Sequence, residues 1–157
     1  METTMNFTTL LYENVHGVLT ITLNRPDSYN ACNEALTLEL QDALRAATED
    51  DSVRCVVLTG AGKAFCSGQD LKDAPSGGGK RSLADSLQRR YNPIIRLMRD
   101  MPKPVIAAIN GVAAGAGLSL ALAADMRIMN ASAKMVEAFI GIALVPDSGA
   151  TFFYPRM

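Results

Sequence analysis

Two short segments carry the residues of this chain whose types and spacing could do chemistry. The first reads Lys63-Ala64-Phe65-Cys66-Ser67-Gly68-Gln69-Asp70-Leu71, the second Asn110-Gly111-Val112-Ala113-Ala114-Gly115-Ala116-Gly117. Small residues let a ligand come close to the backbone. The second segment runs into a helical pattern, and the first N–H groups of a helix lack internal partners and carry partial positive charge. Brought together, two such segments could aim two backbone N–H groups at one carbonyl oxygen. Each donor of such an oxyanion hole stabilises the transition state by roughly 3–4 kcal/mol. Spacing alone leaves a second explanation open, in which the Ala/Gly-rich turns only allow close packing of helix on sheet. The glycines exclude two nucleotide sites. Gly115-Ala116-Gly117 lacks the third glycine of a dinucleotide fingerprint, and no Gly-Lys-Ser/Thr follows to make a P-loop.

The elements around these segments are strands and helices in alternation. Leu10–Asn14 and Val18–Leu23 are β-prone runs around His16-Gly17 and predict a hairpin. Asn24-Arg25-Pro26-Asp27 ends the second strand. Leu36, Leu40, Ala43, Leu44 and Ala47 recur at helical spacing, which predicts a helix over 33–49 capped by Asn33. Val53–Thr59 and Val105–Ile109 have the β-branched, apolar character of buried parallel strands. Ser82–Met101 reads as one amphipathic helix, Leu118–Ala124 as the start of another, and Met126–Asn130 as a short strand. The Ser76-Gly77-Gly78-Gly79 run reads as the most flexible stretch. No repeat of 20–50 residues is visible. The alternation argues for an α/β fold with a parallel sheet, in which ligands bind beyond the carboxyl ends of the strands. Both glycine-rich segments follow expected strands and would sit on that edge.

Bulk properties narrow the setting. The 157 residues fit one domain, 1–157, large enough to hold a core. A net charge of −1 gives no reason to expect nucleic acid or an anionic membrane as partner. Cys32, Cys55 and Cys66 have no CxxC spacing and leave an odd count. They are expected as free thiols, with no disulfide framework and no metal site. The apolar stretch Val105–Ala124 is interrupted by Asn110 and glycines, against a membrane span. Met1–Thr9 lacks the basic and apolar regions of a signal peptide, so a cytoplasmic location is expected.

Several motifs in fixed order then carry a resemblance. Asn24-Arg25-Pro26, Asn30-Ala31, Val56-Val57-Leu58-Thr59-Gly60, Ala64–Leu71, Lys103–Gly111 and Ala121–Asp125 resemble the signatures of the crotonase (enoyl-CoA hydratase/isomerase) superfamily, over about residues 8–157. The resemblance implies stacked ββα turns forming a spiral core, and an acyl-CoA thioester lying across the two segments. It implies oxyanion donors at the backbone N–H groups of Gln69 and Ala116. By the same resemblance Ser67, Gly68, Gln69, Asp70 and Leu71 line the path of the coenzyme A moiety, with Arg25 nearby. Coenzyme A is then part of the substrate, with no separate cofactor and no metal, and the family's assemblies are homotrimers or dimers of trimers.

The same comparison bears on the reaction. Hydratases of the family carry one glutamate on the helix after the second segment and another further on. The matching positions here hold Ser119 and Phe139, neither of which can move a proton to or from carbon. Glu137 lies two residues from the second position, an offset that turns its side chain elsewhere. Asp147, in Leu144-Val145-Pro146-Asp147-Ser148-Gly149, could cap a following helix. It could also shuttle a proton between two carbons of a thioester enolate. Ala138-Phe139, Tyr91-Asn92-Pro93 and Pro146–Gly149 are most similar to the phenylacetate-pathway branch, the 1,2-epoxyphenylacetyl-CoA isomerases, which also shift double bonds of enoyl-CoA. In that branch the aspartate at this position is the acid/base, so an isomerase using Asp147 is the expected activity. An enoyl-CoA hydratase is the alternative. An aryl-CoA dehalogenase would need a water-activating histidine, and the chain has only His16. Family members are longer, so the chain is expected to lack their C-terminal helices and to expose a core edge, and a non-catalytic remnant of the family is a further alternative.

Overall fold

The computed structural model describes residues 6–73 and 82–157. The Ser76–Gly79 run and residues 1–5 lie outside them. Strands β1 (Leu10–Val15) and β2 (Val18–Leu23) form the expected antiparallel hairpin. Its two turn residues, His16 and Gly17, both have positive φ, as a tight hairpin turn requires. In β2 the alternation of types becomes an alternation of burial, with Leu19, Ile21 and Leu23 fully enclosed. Helix α1 (Glu34–Glu49) starts where the Asn33 side chain accepts the N–H of Leu36 at 2.9 Å. Its predicted stripe, Leu36, Leu40, Ala43, Leu44 and Ala47, is the buried face.

A repeat then appears that the sequence does not display. Three times a first strand enters a large sheet, a second enters a small one, and a helix follows. The large sheet has the order β1-β2-β3-β5-β7 and is parallel from β2 onward, with β3 Cys55–Gly60, β5 Val105–Ile109 and β7 Met126–Met129. The small sheet is parallel, in the order β4-β6-β8, with β4 Ala64–Cys66, β6 Val112–Ala114 and β8 Met135–Val136. The repeats begin at Cys55, Val105 and Met126, so their unequal lengths hide the period. The glycine-rich segments are therefore not simple loops after the long strands. Each contains a three-residue strand of its own, too short and too enclosed by glycine to give a periodic signal. Strand β7 is an edge of the large sheet, and its Met126, Ile128 and Met129 are all exposed.

The single helix expected over Ser82–Met101 is three segments: α2 (Leu83–Ser86), a π turn (Leu87–Tyr91) and α3 (Asn92–Asp100). Pro93 has no N–H, so the carbonyl of Arg89 loses its α-helical donor. The Asn92 N–H bonds five residues back, to Leu87, and the turn widens. Gln41 of α1 supplies the missing donor. Its Nε2 lies 2.9 Å from the Arg89 carbonyl and 3.2 Å from that of Arg90. Replacing Gln41 with Leu is expected to lower stability by about 1–3 kcal/mol in chemical denaturation, because it leaves a buried carbonyl without a partner. A change indistinguishable from zero would mean that water replaces Gln41.

Helix α4 (Ala116–Ala123) starts two residues before its predicted start and is buried along its whole length. The last helix, α5 (Ala150–Phe153), begins after Asp147. No described helix is long and apolar enough to cross a membrane. The three cysteines are free; Cys32 and Cys66 are buried and Cys55 is half-buried.

Candidate active site

The carboxyl ends of β4, β6 and β8 lead directly into Ser67–Leu71, Gly115–Ala116 and Ala138–Phe139. These three stretches converge on one cleft of about 390 Å³. The strand-end rule thus holds on the small sheet rather than on the long strands from which it was anticipated. The fourth wall comes from the helical segment after residue 82. Leu83, Leu87 and Tyr91, four residues apart, face the cleft together with Ser86. Ile142, Leu144, Val145 and Asp147 close it.

The two glycine-rich segments touch. Gly68 has φ +95°, and a Cβ there would stand 2.9 Å from the Ala114 carbonyl oxygen and 3.5 Å from the Ala116 nitrogen. Gly117 packs against Cys66 so closely that a Cβ would lie 2.3 Å from the Cys66 carbonyl oxygen. Gln69 is fixed by a parallel bridge to Cys32. Cys32 donates its N–H to the Gly68 carbonyl at 2.7 Å, and Asp70 donates to the Cys32 carbonyl at 3.0 Å. That pattern turns the N–H of Gln69 away from Cys32. Ala116 is the first residue of α4, where an N–H has no helical acceptor. Neither N–H has an acceptor among the described residues.

The Gln69 side chain is held as well. Its Oε1 accepts the hydroxyl of Tyr91, which projects from the π turn. The neighbouring Arg90 is buried too, and its guanidinium donates to Thr37 Oγ1 at 3.0 Å and to the Cys32 carbonyl at 3.2 Å and pairs with Asp73 at 3.3 Å. Two consecutive residues of one π turn therefore brace both sides of the Cys32–Gln69 bridge. Burial holds the Tyr91 hydroxyl far above its ordinary pKa, so it stays a donor. Neither Tyr91 nor Arg90 was singled out as a site residue by sequence. The available signal was the i, i+4, i+8 spacing of Leu83, Leu87 and Tyr91, with Pro93 inside a helical run.

Asp147 is the one carboxylate on the cleft wall among the described residues. It is not a helix cap. Gly149 occupies that position, and the Ala150 N–H goes to the Asp147 backbone carbonyl rather than its side chain. Its Oδ1 accepts the Ser148 hydroxyl at 2.8 Å. Burial pushes the carboxyl above the ordinary aspartate value, and the Ser148 hydrogen bond opposes this. Ser119 lies within 3.2 Å of the Asp147 carbonyl, so the hydroxyl on α4 bears on the placement of this segment. Phe139 is a buried apolar wall, and Glu137 accepts the Phe139 N–H outside the cleft.

Of the expected coenzyme-binding residues, Ser67, Gly68, Gln69 and Leu71 line the cleft. Arg25 and Asp70 do not. They form an ion pair of 2.9 Å beside it, which with desolvation opposing holds Asp70 below its ordinary pKa. His16 is exposed in the hairpin turn, outside the cleft.

Comparison with known proteins agrees with this architecture. The enoyl-CoA hydratase/isomerase family model matches residues 13–157. The chain is 48% identical over 144 residues to 1,2-epoxyphenylacetyl-CoA isomerase of Escherichia coli K12, covering 90% of this chain and 55% of that protein. It is 46% identical over 152 residues to a Rhodobacter capsulatus protein named "Probable enoyl-CoA hydratase", covering 97% of this chain and 58% of the other. A crystal structure of enoyl-CoA hydratase from Bacillus anthracis superposes with a TM-score of 0.87 at 36% identity, over 95% of this chain and 58% of that one. The chain thus spans a little over half the length of these relatives. With its fold, its converging strand ends and a family match over nearly all its residues, the chain belongs to the enoyl-CoA hydratase/isomerase family and has the crotonase fold.

Proposed function

We propose that this chain carries the site of an acyl-CoA isomerase in which Asp147 moves a proton between two carbons of a thioester enolate. The single observation that carries the reading is that one carboxylate, and only one among the described residues, faces the cleft onto which the Gln69 and Ala116 segments open. The Asp147 carboxylate takes a proton from carbon, and the C–H electron pair passes into the conjugated thioester. The carbonyl oxygen becomes a dienolate oxygen held by the N–H groups of Gln69 and Ala116. The same carboxyl returns the proton to another carbon, and the double bond has moved with no net change in composition. The likeness to a 1,2-epoxyphenylacetyl-CoA isomerase supports epoxyphenylacetyl-CoA or an enoyl-CoA as substrate.

Hydration is the second reading, favoured by the name of the Rhodobacter relative. Against it, Ser119 and Phe139 stand where hydratases of the family carry glutamates. The deciding experiment incubates the chain with a β,γ-unsaturated acyl-CoA in deuterated water. Conjugation with deuterium entering the chain is expected; a hydroxyacyl-CoA as the main product would overturn the isomerase reading.

The raised pKa of Asp147 gives that reaction a pH signature. The carboxylate is the form that accepts the proton, so kcat/KM should rise with pH, with a midpoint above that of an ordinary aspartate. Stability runs the other way. A carboxyl whose folded pKa is raised favours the folded state only while protonated, and that contribution is lost as pH rises through the folded value. Asp147→Asn should therefore be the more stable chain at neutral pH, with the difference vanishing in acid. Parallel pH titrations of the two melting midpoints would check this, and an Asn variant less stable at neutral pH would contradict it.

A further inference from the structure

Ser148 has φ +53°, in the left-handed region, and is not glycine. It is buried, and its hydroxyl turns back onto the preceding side chain, donating to Asp147 Oδ1 at 2.8 Å. A side chain in this region is strained, and such strain persists where the surrounding structure holds it. Glycine would relieve it, as Gly149 does next door at φ +81°, but glycine has no hydroxyl. The rest of the turn is pinned at the main chain. The Asp147 carbonyl accepts the Ala150 N–H at 2.9 Å and lies 3.2 Å from the Ser119 hydroxyl. Those bonds leave the carboxylate free to rotate about its own side-chain bonds. Among the described residues, Ser148 alone fixes it. Oδ2 accepts no hydrogen bond there and is not among the enclosed atoms, so it keeps open surface on a residue that lines the cleft. The carboxylate thus has one anchored and one open oxygen. No charge competes for its control. Helices α4 and α5 carry no titratable side chain, and Glu137 is engaged by the Phe139 N–H outside the cleft. The π turn presents Tyr91, which burial holds protonated. Burial and the Ser148 hydrogen bond are left to oppose each other at Asp147.

Resting on the reading of Asp147 as the proton carrier, we infer that Ser148 is a positioning residue, whose hydroxyl anchors Oδ1 so that Oδ2 alone meets the proton on the substrate carbon. Ser148 touches no substrate and acts only through Asp147. Its hydrogen bond favours the carboxylate over the carboxylic acid, so it keeps the base ready at a lower pH than burial alone would allow. It also removes the rotation that would exchange the two oxygens, so one oxygen takes the proton and the same oxygen gives it back. The left-handed backbone at Ser148 is what lets its hydroxyl reach the side chain before it.

The test follows isomerisation of a β,γ-unsaturated acyl-CoA across pH, with calorimetry of a non-reacting thioester, for the unmodified full chain, Ser148→Ala and Ser148→Gly. Both variants lose the hydroxyl and only Ser148→Gly relieves the strain, so Ser148→Gly should melt above Ser148→Ala. Both are expected to fall about tenfold in kcat/KM on the acid limb of the profile, where the lost hydrogen bond leaves Asp147 protonated, and less on the alkaline plateau. Thioester affinity should stay within about twofold in both. In an Asp147→Asn background, with no carboxylate to place, Ser148→Ala should change the residual rate by less than about twofold. An unchanged pH profile in both variants, a loss confined to the strained Ser148→Ala, or a loss of thioester affinity in both overturns the role of Ser148 and leaves Asp147 standing. Undiminished turnover by Asp147→Asn overturns the reading of Asp147, and Ser148's role with it.

Discussion

Asp147→Asn is expected to lower isomerisation by about 10³-fold while leaving the affinity for a CoA thioester within about twofold, the pattern of a group that acts only in the transition state. Asparagine has nearly the shape of aspartate and still offers Oδ1 to the Ser148 hydroxyl, so the 144–149 segment has no reason to move. It cannot take a proton. The cleft offers no substitute among the described residues, because Glu137 is engaged by the Phe139 N–H and does not line it. Tyr91 is held protonated by burial and is equally unable to serve as base. Double-bond migration followed by absorbance, alongside calorimetry with a non-reacting thioester, separates the two quantities. Turnover of Asp147→Asn within tenfold of the unmodified chain would remove Asp147 from the mechanism.

The second large effect concerns a residue with no chemistry of its own. In Gly117→Ala the new methyl carbon would lie 2.3 Å from the Cys66 carbonyl oxygen and 2.7 Å from both Cβ and Sγ of Cys66. Backbone must yield, since a carbonyl cannot rotate aside as a side chain can. Helix α4 would be pushed off strand β4, and with it the Ala116 N–H away from the Ser67–Gln69 segment. Overpacking of this kind is expected to cost about 3 kcal/mol and to abolish measurable thioester binding. Gly141→Ala is the control, because nothing lies within 4 Å of its added carbon. If both variants melted together and bound alike, the close approach of α4 and β4 would not be what holds the two donors in place.

Legibility in the sequence followed the physics of each element. The hairpin and α1 carry long, regular periodicities and the Asn33 cap, and they fold as read. The small sheet was hidden because β4, β6 and β8 are two or three residues each, and their pairing is specified by neighbours far along the chain. The π turn was hidden because its cause is split between Pro93 and Gln41, more than fifty residues apart in sequence. For the site, motif order located Gln69, Ala116 and Asp147 on one cleft. It could not distinguish Arg25 and Asp70, which pair with each other, from residues that line the cavity.

The two candidate donors are main-chain groups, and this has an evolutionary consequence. No codon change at position 69 or 116, short of proline, deletes an N–H. If they serve as proposed, random mutation strikes oxyanion binding mainly through the glycines packed behind them, while a carboxylate facing the cleft can be gained or lost by a single substitution. A lineage built this way can exchange one reaction for another and never pass through an ancestor unable to hold an enolate.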